Sequence, residues 1–261
     1  MERTMRRRMA AAAAILALAA GGGTFAGCGS DSSAGGTSTE NTSTLAAANG
    51  VETLSAQEIL DASGAAATKA TSVRVKGTIT MSAQTVTLDL QVGKNSADGT
   101  VSAAGVDVEI RVVGGKSYFK ISPESFAAMA GQEGSAELIE AMKTLIGDKW
   151  LLVPVDSASG DFDDFNKLAQ KDLLITALLA PEGTITVKGT DTINGVPVVL
   201  LSSSKGGTLA ISTVGEPYPI QMSASDDEGT GTLDFTGWNE PFDVTAPTDV
   251  LDISALAGLA T

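Results

Sequence analysis

Apolar and polar residues alternate along two separate blocks of the chain. In the first block the alternation runs through residues 73–81, 86–92 and 106–112, and in the second through residues 184–235. A period of two places the apolar side chains on one face of a strand and the polar side chains on the other. Glycines such as Gly93 mark most of the turns, so we expect neighbouring strands to pair as antiparallel meanders, with about five strands in the second block.

A capping box predicts a helix immediately before the first strand block. Ser55 has the hydroxyl that an N-cap needs, and Glu58 follows at the third helical position. The side chains of such a pair satisfy backbone N–H groups reciprocally at the start of a helix. We expect this helix to end near Ala70.

The segment between the two strand blocks changes to helical periodicity. Residues 123–147 predict two short helices, and a strand is expected at residues 150–155. A further helix is expected to run from Asp161 at its N-cap to about Ala180, because Pro181 stops it. The second half of this helix is apolar nearly all round, which predicts that it is buried on both sides.

This order of elements predicts an α+β fold that is mainly antiparallel β. We expect a curved half-barrel sheet of about ten strands, with three or four helices packed in its concave side. Each strand would then share its apolar face with the helices and keep its polar face in water.

The N-terminus has the three parts of an export signal. Basic residues open it, an apolar run follows from residue 9 to residue 20, and small residues precede Cys28, the only cysteine. The residues before Cys28 resemble the lipobox of bacterial lipoproteins, with Phe25 in place of the usual aliphatic residue. We therefore predict that Cys28 carries a lipid. The alternatives are a secreted protein with one unpaired thiol and an uncleaved anchor, although the apolar run is shorter than the ~20 residues that span a bilayer.

Three parts of the chain follow from this assignment. We expect residues 1–27 to be a lipoprotein signal peptide, residues 28–54 a lipid-anchored flexible tether, and residues 55–261 a single folded domain. The tether is rich in small and polar residues, and a flexible segment of this length reaches roughly 30 Å. The protein is therefore expected to be exported and anchored to the outer face of the cytoplasmic membrane.

The charge of the mature chain restricts its partners. Removing residues 1–27 takes away four of the 17 basic residues and one of the 31 acidic residues. The remaining 13 basic and 30 acidic residues give a net charge of −17. Such a surface repels phosphate groups, which argues against nucleic acid binding and against electrostatic docking on anionic lipids. Contact with the membrane is therefore expected through the lipid on Cys28.

The composition also restricts the chemistry. The chain has no histidine, and its one cysteine is near the N-terminus. A Ser-His-Asp triad, a Cys-His pair and an imidazole or thiolate zinc site are therefore excluded. The acidic clusters at residues 161–164 and 226–228 lack the spacing of an EF-hand and are interpreted as a helix start and a loop. We predict no enzyme activity, no cofactor and no metal site.

Several short phrases within residues 55–255 resemble actinobacterial lipoproteins of the LppX/LprAFG type, whose fold is similar to that of the LolA/LolB carriers. They are Ala70-Thr71-Ser72-Val73, Gly115-Lys116-Ser117-Tyr118-Phe119-Lys120, Asp148-Lys149-Trp150, Glu216-Pro217-Tyr218-Pro219, and Phe235-Thr236-Gly237-Trp238-Asn239-Glu240-Pro241 with Ala246-Pro247. None of these phrases is a catalytic motif. The resemblance implies a LolA-like domain with a hydrophobic cavity between sheet and helices, which holds the acyl chains of lipids or glycolipids in transit through the envelope.

Eight apolar residues of the helical segments are candidates for the lining of such a cavity. They are Phe126, Met129, Met142, Phe162, Phe165, Leu168, Leu174 and Leu178. Methionine adapts to chains of different shape, but the same residues equally suit a packed core. The leading hypothesis is a membrane-anchored lipoprotein that binds and shuttles acyl chains. The alternative is a non-enzymatic structural or interaction module of the cell surface, and the sequence does not identify a membrane transporter as partner.

Overall fold

The structure is a computed structural model that describes residues 47–81, 84–125, 136–153, 170–180, 183–225 and 229–252. The helices are α1 (Ala56–Lys69), α2 (Ala136–Leu145) and α3 (Lys171–Leu179), with a short 3₁₀ helix at Val51–Thr53. Residues 123–125 are also helical. The first six strands are β1 (Ser72–Met81), β2 (Gln84–Gly93), β3 (Ala97–Ala103), β4 (Val106–Val113), β5 (Lys116–Ile121) and β6 (Trp150–Val153). The others are β7 (Ile185–Ile193), β8 (Val196–Ser203), β9 (Thr208–Ser212), β10 (Pro219–Ser225), β11 (Gly229–Thr236) and β12 (Val250–Asp252).

All twelve of these strands belong to one open, curved sheet, in the order β12-β6-β5-β4-β3-β2-β1-β11-β10-β9-β8-β7. β1 to β6 form one antiparallel meander and β7 to β11 form a second, and the two meanders join where β1 pairs with β11. β12 is added parallel to β6. The predicted α+β class with a mainly antiparallel sheet is confirmed. The strand count exceeds the predicted ten because a strand as short as β12, with three residues, shows no period of two.

The alternation along the strands gives the sheet two different faces. On the helix face, which packs against α1 and α3, Val75 lies opposite Leu90 of β2. On the other face, here called the open face, Arg74 and Lys76 both contact the carboxylate of Asp89, at 2.7 and 3.1 Å. The hydrogen bond from Arg74 holds the pKa of Asp89 below its ordinary value.

The predicted capping box at the start of α1 is confirmed. The Ser55 Oγ accepts a hydrogen bond from the Glu58 backbone N–H at 3.4 Å, and the Glu58 Oε2 accepts one from the Ser55 backbone N–H at 2.9 Å. Hydrogen bonds from Ser55 also lower the pKa of Glu58. α1 ends at Lys69 with Ala70 as its C-cap, as the sequence predicts.

Contacts between the N-terminal segment and the domain begin earlier than residue 55. The Gly215 N–H donates a hydrogen bond to the Ala47 carbonyl at 2.8 Å, and the Asn49 side-chain amide donates one to the Ser212 carbonyl at 3.0 Å. Ala48 also forms a β-bridge with Val214. Residues 47–54 therefore pack on the domain at the connection between β9 and β10, although their composition predicts a tether.

A fully buried lysine joins the two helices of the helix face. The Lys171 Nζ donates hydrogen bonds to the carbonyls of Ala67 and Thr68, at 2.9 and 3.0 Å, and to the carboxylate of Asp172 at 2.5 Å. The last four carbonyls of a helix have no partner within the helix, and a cation is favourable at that end. Lys171 therefore caps the C-terminus of α1 from the first turn of α3.

The prediction of one continuous helix from Asp161 to Ala180 is wrong, because the helix does not continue through Gln170. Gln170 has an extended backbone, with φ −104° and ψ 109°, so α3 begins only at Lys171; residues 161–169 lie outside the described residues. The prediction that this helix is buried on both sides is also wrong, since the Leu173 side chain is 47% exposed. α3 instead buries one side and has an apolar residue, Leu173, on its exposed side.

Replacing Lys171 with methionine tests the capping role. Lys171→Met keeps the length of the side chain but leaves the carbonyls of Ala67 and Thr68 without their donor, so we expect the free energy of unfolding to fall by about 1–3 kcal/mol. Urea denaturation measures this change. The matched control is Lys188→Met on the exposed strand β7, which is expected to change stability by about 0.5 kcal/mol or less. Equal effects of the two substitutions would refute the capping role.

Candidate functional site

The part of the helix face beneath α1 and α3 is a filled core. Its buried members come from both helices and from strands of both meanders, among them Ile59, Leu174, Val199 and Phe235. Ile59, Val199 and Phe235 are no more than 1% exposed. Side chains this completely enclosed leave no space for a ligand unless they move.

A small apolar pocket lies at the edge of this core, between α3 and the second meander. Leu60, Leu178, Leu179, Ile185 and Met222 contribute to its lining. Its volume is about 30 Å³, whereas ligand sites for small molecules have about 300–1,000 Å³. Among the described residues, this pocket is therefore too small for an acyl chain without rearrangement of its walls.

A second apolar region lies on the same face over strands β3, β4 and β5. Ile110 and Phe119 form its buried centre, and the partly buried valines Val101, Val108 and Val112 surround them. We call these five residues the valine strip. All five lie on strands, and none of the helix side chains that the structure describes belongs to this cluster. Val101 and Val112 also pack against the filled core, so the valine strip is its partly buried continuation over strands of the first meander.

A glycine leaves additional space beside the valine strip. Gly99 pairs with Leu90 on β2 and with Ile110 on β4, so it occupies a helix-face position without a side chain. A Cβ atom on Gly99 would approach the Asp89 carbonyl oxygen to 2.1 Å, and its φ of +154° is a conformation that favours glycine. The close approach of the β2 and β3 backbones therefore requires a glycine at this position. The missing side chain leaves a shallow depression in the helix face there.

The far end of the valine strip is closed by a small packed cluster. Ile121 of β5 and Leu151 of β6 contact Ile146, which follows α2 directly. Ile146 is 3% exposed, so the end of α2 covers this corner of the sheet. The strip consequently has a filled core on one side and a closed corner on the other.

The structure places only some of the predicted cavity residues. Leu174 is buried in the core and Leu178 lies at its edge, partly buried. Met142 belongs to α2, but its side chain is not described. Six predicted site residues lie outside the described residues: Cys28, Phe126, Met129, Phe162, Phe165 and Leu168. The structure brings Leu174 and Leu178 onto one helix, and the functions assigned to all eight cavity candidates stay predictions.

Sequence reasoning missed the valine strip as a candidate site. The alternation at residues 106–112 predicted an apolar strand face, which is confirmed for β4. The available signal was the row of apolar residues at alternate positions of β4, with Val101 and Phe119 on the neighbouring strands. Alternation does not show which part of an apolar face a helix covers.

The described part of the chain shows neither a metal site nor a membrane-spanning helix. No group of three or more acidic, cysteine or histidine side chains there is arranged to hold a metal ion. The acidic clusters at residues 161–164 and 226–228 lie wholly outside the described residues. No described helix is long and apolar enough to cross a membrane.

Comparison with known proteins identifies the fold. No protein-family model matches the chain, and no curated protein sequence matches it either. The chain is similar to the solved structure of LprF from Mycobacterium bovis, with a TM-score of 0.50 and 19% identity, over 74% of this chain and 97% of LprF. It is also similar to the lipoprotein LppX from Mycobacterium tuberculosis, with a TM-score of 0.46 and 19% identity, over 72% of this chain and 99% of LppX. The likeness to LprF shows a common fold, and the resemblance to LppX/LprAFG-type lipoproteins is confirmed at that level.

Truncation of Leu174 and of Val112 distinguishes the filled core from the valine strip. Leu174 is 6% exposed within the core, so Leu174→Ala is expected to lower the free energy of unfolding by about 2–5 kcal/mol. Val112 is only partly buried, so Val112→Ala is expected to cost about 1 kcal/mol or less. Chemical denaturation of the two variants provides the comparison. A cost for Val112→Ala as large as that for Leu174→Ala would show that the strip is ordinary core.

Proposed function

We propose that this chain is a non-enzymatic, membrane-anchored lipoprotein that binds the acyl chains of lipids or glycolipids and shuttles them through the cell envelope. The observation that carries the proposal is the valine strip, an apolar surface beside the filled core whose outer valines are only partly buried. It lies on the same face of the sheet as α1 and α3, and the resemblance to LppX/LprAFG-type lipoproteins implies a cavity on that face.

The chemistry of the strip suits an acyl chain. Val108, Ile110 and Val112 extend along about 13 Å of β4, since alternate residues of a strand lie on the same face. The members of the strip are all valine, isoleucine or phenylalanine, which offer no hydrogen bonds. Burial of each methylene of a bound chain contributes about 0.8 kcal/mol, so affinity grows with chain length and needs no specific polar contact.

The filled core makes the valine strip a better position than the space beside α3. A chain bound next to Leu174 would have to displace side chains of the principal core, whose packing stabilises the fold. Leu178 lines the small pocket, and its side chain would have to move before an acyl chain could enter. We place the acyl chain over β3 to β5, and the predicted residues Phe126, Met129, Met142, Phe162, Phe165 and Leu168 remain candidates to cover it.

The anchor proposed for the protein is the lipid on Cys28. Because residues 47–54 pack on the domain, the flexible part proposed for the tether is residues 28–46. A flexible segment of 19 residues reaches roughly 24 Å, which keeps the domain close to the outer face of the cytoplasmic membrane. The lipid on Cys28 would hold the protein in place while the domain carries a different lipid.

Native mass spectrometry of the full chain, purified from an envelope that attaches lipids to cysteine, tests acyl-chain binding. The wild-type protein is expected to carry bound lipid in addition to its anchor. Val108→Phe is expected to reduce the bound fraction several-fold, because the larger side chain occupies the strip and keeps it apolar. The control Thr100→Phe places the same side chain on the open face of β3, where it is expected to leave lipid binding unchanged.

Two outcomes would contradict the proposal. One is a wild-type protein that carries no lipid and has no accessible apolar site. The other is co-purification of one protein partner in stoichiometric amount without lipid, which would favour the interaction module. Thermal denaturation of Val108→Phe shows whether a loss of lipid reflects a blocked strip or an unfolded domain.

Substitution of Cys28 tests the anchor separately. Cys28→Ala removes the thiol that accepts the lipid, so the protein is expected to leave the membrane fraction and to keep its folded domain and its lipid binding. Fractionation of cells followed by mass spectrometry of the soluble protein measures both properties. A Cys28→Ala protein that remains in the membrane fraction would contradict the assignment.

A further inference from the structure

The open face of the second meander carries a groove of about 1,170 Å³. Its walls come from the ends of β8 and β10 and from the beginnings of β9 and β11, with contributions from β1 and β7. The N-terminal segment contacts the opposite end of β9, at Ser212. The groove therefore lies on the other face of the sheet from the valine strip and at the other end of the second meander from Ala47.

Hydroxyl groups dominate the lining of this groove. Eleven of its eighteen lining residues are serine or threonine, and four are glycine. The remaining three are Lys188, Ala224 and Asp234. The groove therefore has little charge, and the glycines let a ligand approach the backbone closely.

The first meander presents different side chains on the same open face. Arg111 pairs there with Asp98, with 2.6 Å between Nε and Oδ1, and Lys120 lies 3.9 Å from Glu109. Charged pairs across strands are an ordinary way to solvate an exposed sheet face. The hydroxyls around the groove replace such pairs, so the lining is a local feature of the second meander.

The groove has two charged residues, Asp234 and Lys188, in different environments. The Asp234 carboxylate accepts hydrogen bonds from the side-chain amides of Asn194, at 3.0 Å, and Gln221, at 2.8 Å. It is therefore held in place as part of the wall. Lys188 lies on an exposed part of β7. With one lysine and one carboxylate in its lining, the groove attracts anions weakly, in a chain whose overall charge is strongly negative.

The hydroxyls retain capacity for a ligand even where they contact one another. Thr208 and Ser223 share a hydrogen bond of 2.7 Å across β9 and β10. A hydroxyl group has one donor and two acceptor positions, so a pair that shares one proton keeps one donor and several acceptors. Thr230 and Thr232 on β11 have exposed side chains that face the groove. Such a surface matches a partner that also both donates and accepts at many positions.

We propose that this groove binds a neutral carbohydrate chain. A carbohydrate supplies hydroxyls that donate and accept, which is the pattern of the lining. An acyl chain would leave the hydroxyls of the groove without hydrogen bonds, and a polyanion would meet one lysine and a negative surface. Extended peptides pair with sheet edges or use apolar pockets, whereas this groove lies on the face of the sheet.

The groove extends across six strands, which gives room for an oligosaccharide. No aromatic residue belongs to its lining, so binding depends on hydrogen bonds, and each contributes modestly in water. We therefore expect an affinity of roughly millimolar, which requires a method suited to weak binding.

Saturation-transfer difference NMR with neutral hexasaccharides tests the proposal. The full chain is kept in a zwitterionic detergent without a sugar headgroup, and cellohexaose, mannohexaose and chitohexaose are titrated in turn. At least one of them is expected to receive saturation from the protein. The double variant Thr230→Val and Thr232→Val removes two hydroxyls from the groove while keeping β-branched side chains that suit a strand. We expect it to weaken binding about tenfold.

The control is Thr100→Val, which removes an exposed hydroxyl on the open face of β3 outside the groove. It is expected to change the affinity less than twofold, and circular dichroism verifies that all variants are folded. The proposal is overturned if none of the three hexasaccharides binds, or if Thr100→Val weakens binding as much as the groove variant. Displacement of the saccharide by an unrelated extended peptide would instead assign the groove to a protein partner. Because the valine strip lies on the other face, these results do not depend on whether the domain carries lipid.

Discussion

The pairing of β1 with β11 is the constraint on which the rest of this structure depends. The two strands lie about 150 residues apart in the chain, and their pairing runs from Arg74 opposite Thr236 to Met81 opposite Gly229. It joins two antiparallel meanders into one sheet and so creates one helix face for α1 and α3 to cover. Gly77 is needed at its centre, because a Cβ there would lie 1.9 Å from the Thr232 carbonyl oxygen. Long-range pairing of this kind has a large entropic cost, which burial of the shared core offsets.

The buried amine of Lys171 connects the helices to that sheet. It satisfies two carbonyls at the end of α1, whose next residues lead into β1, and it belongs to the helix that leads toward β7. One side chain therefore links the start of each meander. A buried cation is retained only when hydrogen bonds compensate its loss of hydration, and the carbonyls of Ala67 and Thr68 together with Asp172 provide them.

The two faces of the sheet separate two proposed binding functions. On the helix face, the core beneath α1 and α3 is filled and the valine strip beside it is only partly covered, which suits an acyl chain. On the open face, the first meander has ion pairs and the second has a groove rich in hydroxyls, which suits a carbohydrate. An anchored protein with both sites would hold a lipid on one side and contact a polysaccharide on the other. The common fold with LprF by itself says nothing about ligands.

Local patterns in the sequence determined most of the elements of this protein, and the tertiary structure decided how they are used. The period of two in β1, β2 and β4 and the capping box of Ser55 and Glu58 depend on neighbours in the chain, so both were predictable. Burial depends on partners far apart in sequence. No local rule shows that Lys171 is enclosed while Leu173 is exposed, or that Leu174 fills the core while Val108 stays partly open. The hydroxyl groove likewise exists only because six strands bring their serines and threonines together, and that proximity is a property of the folded sheet.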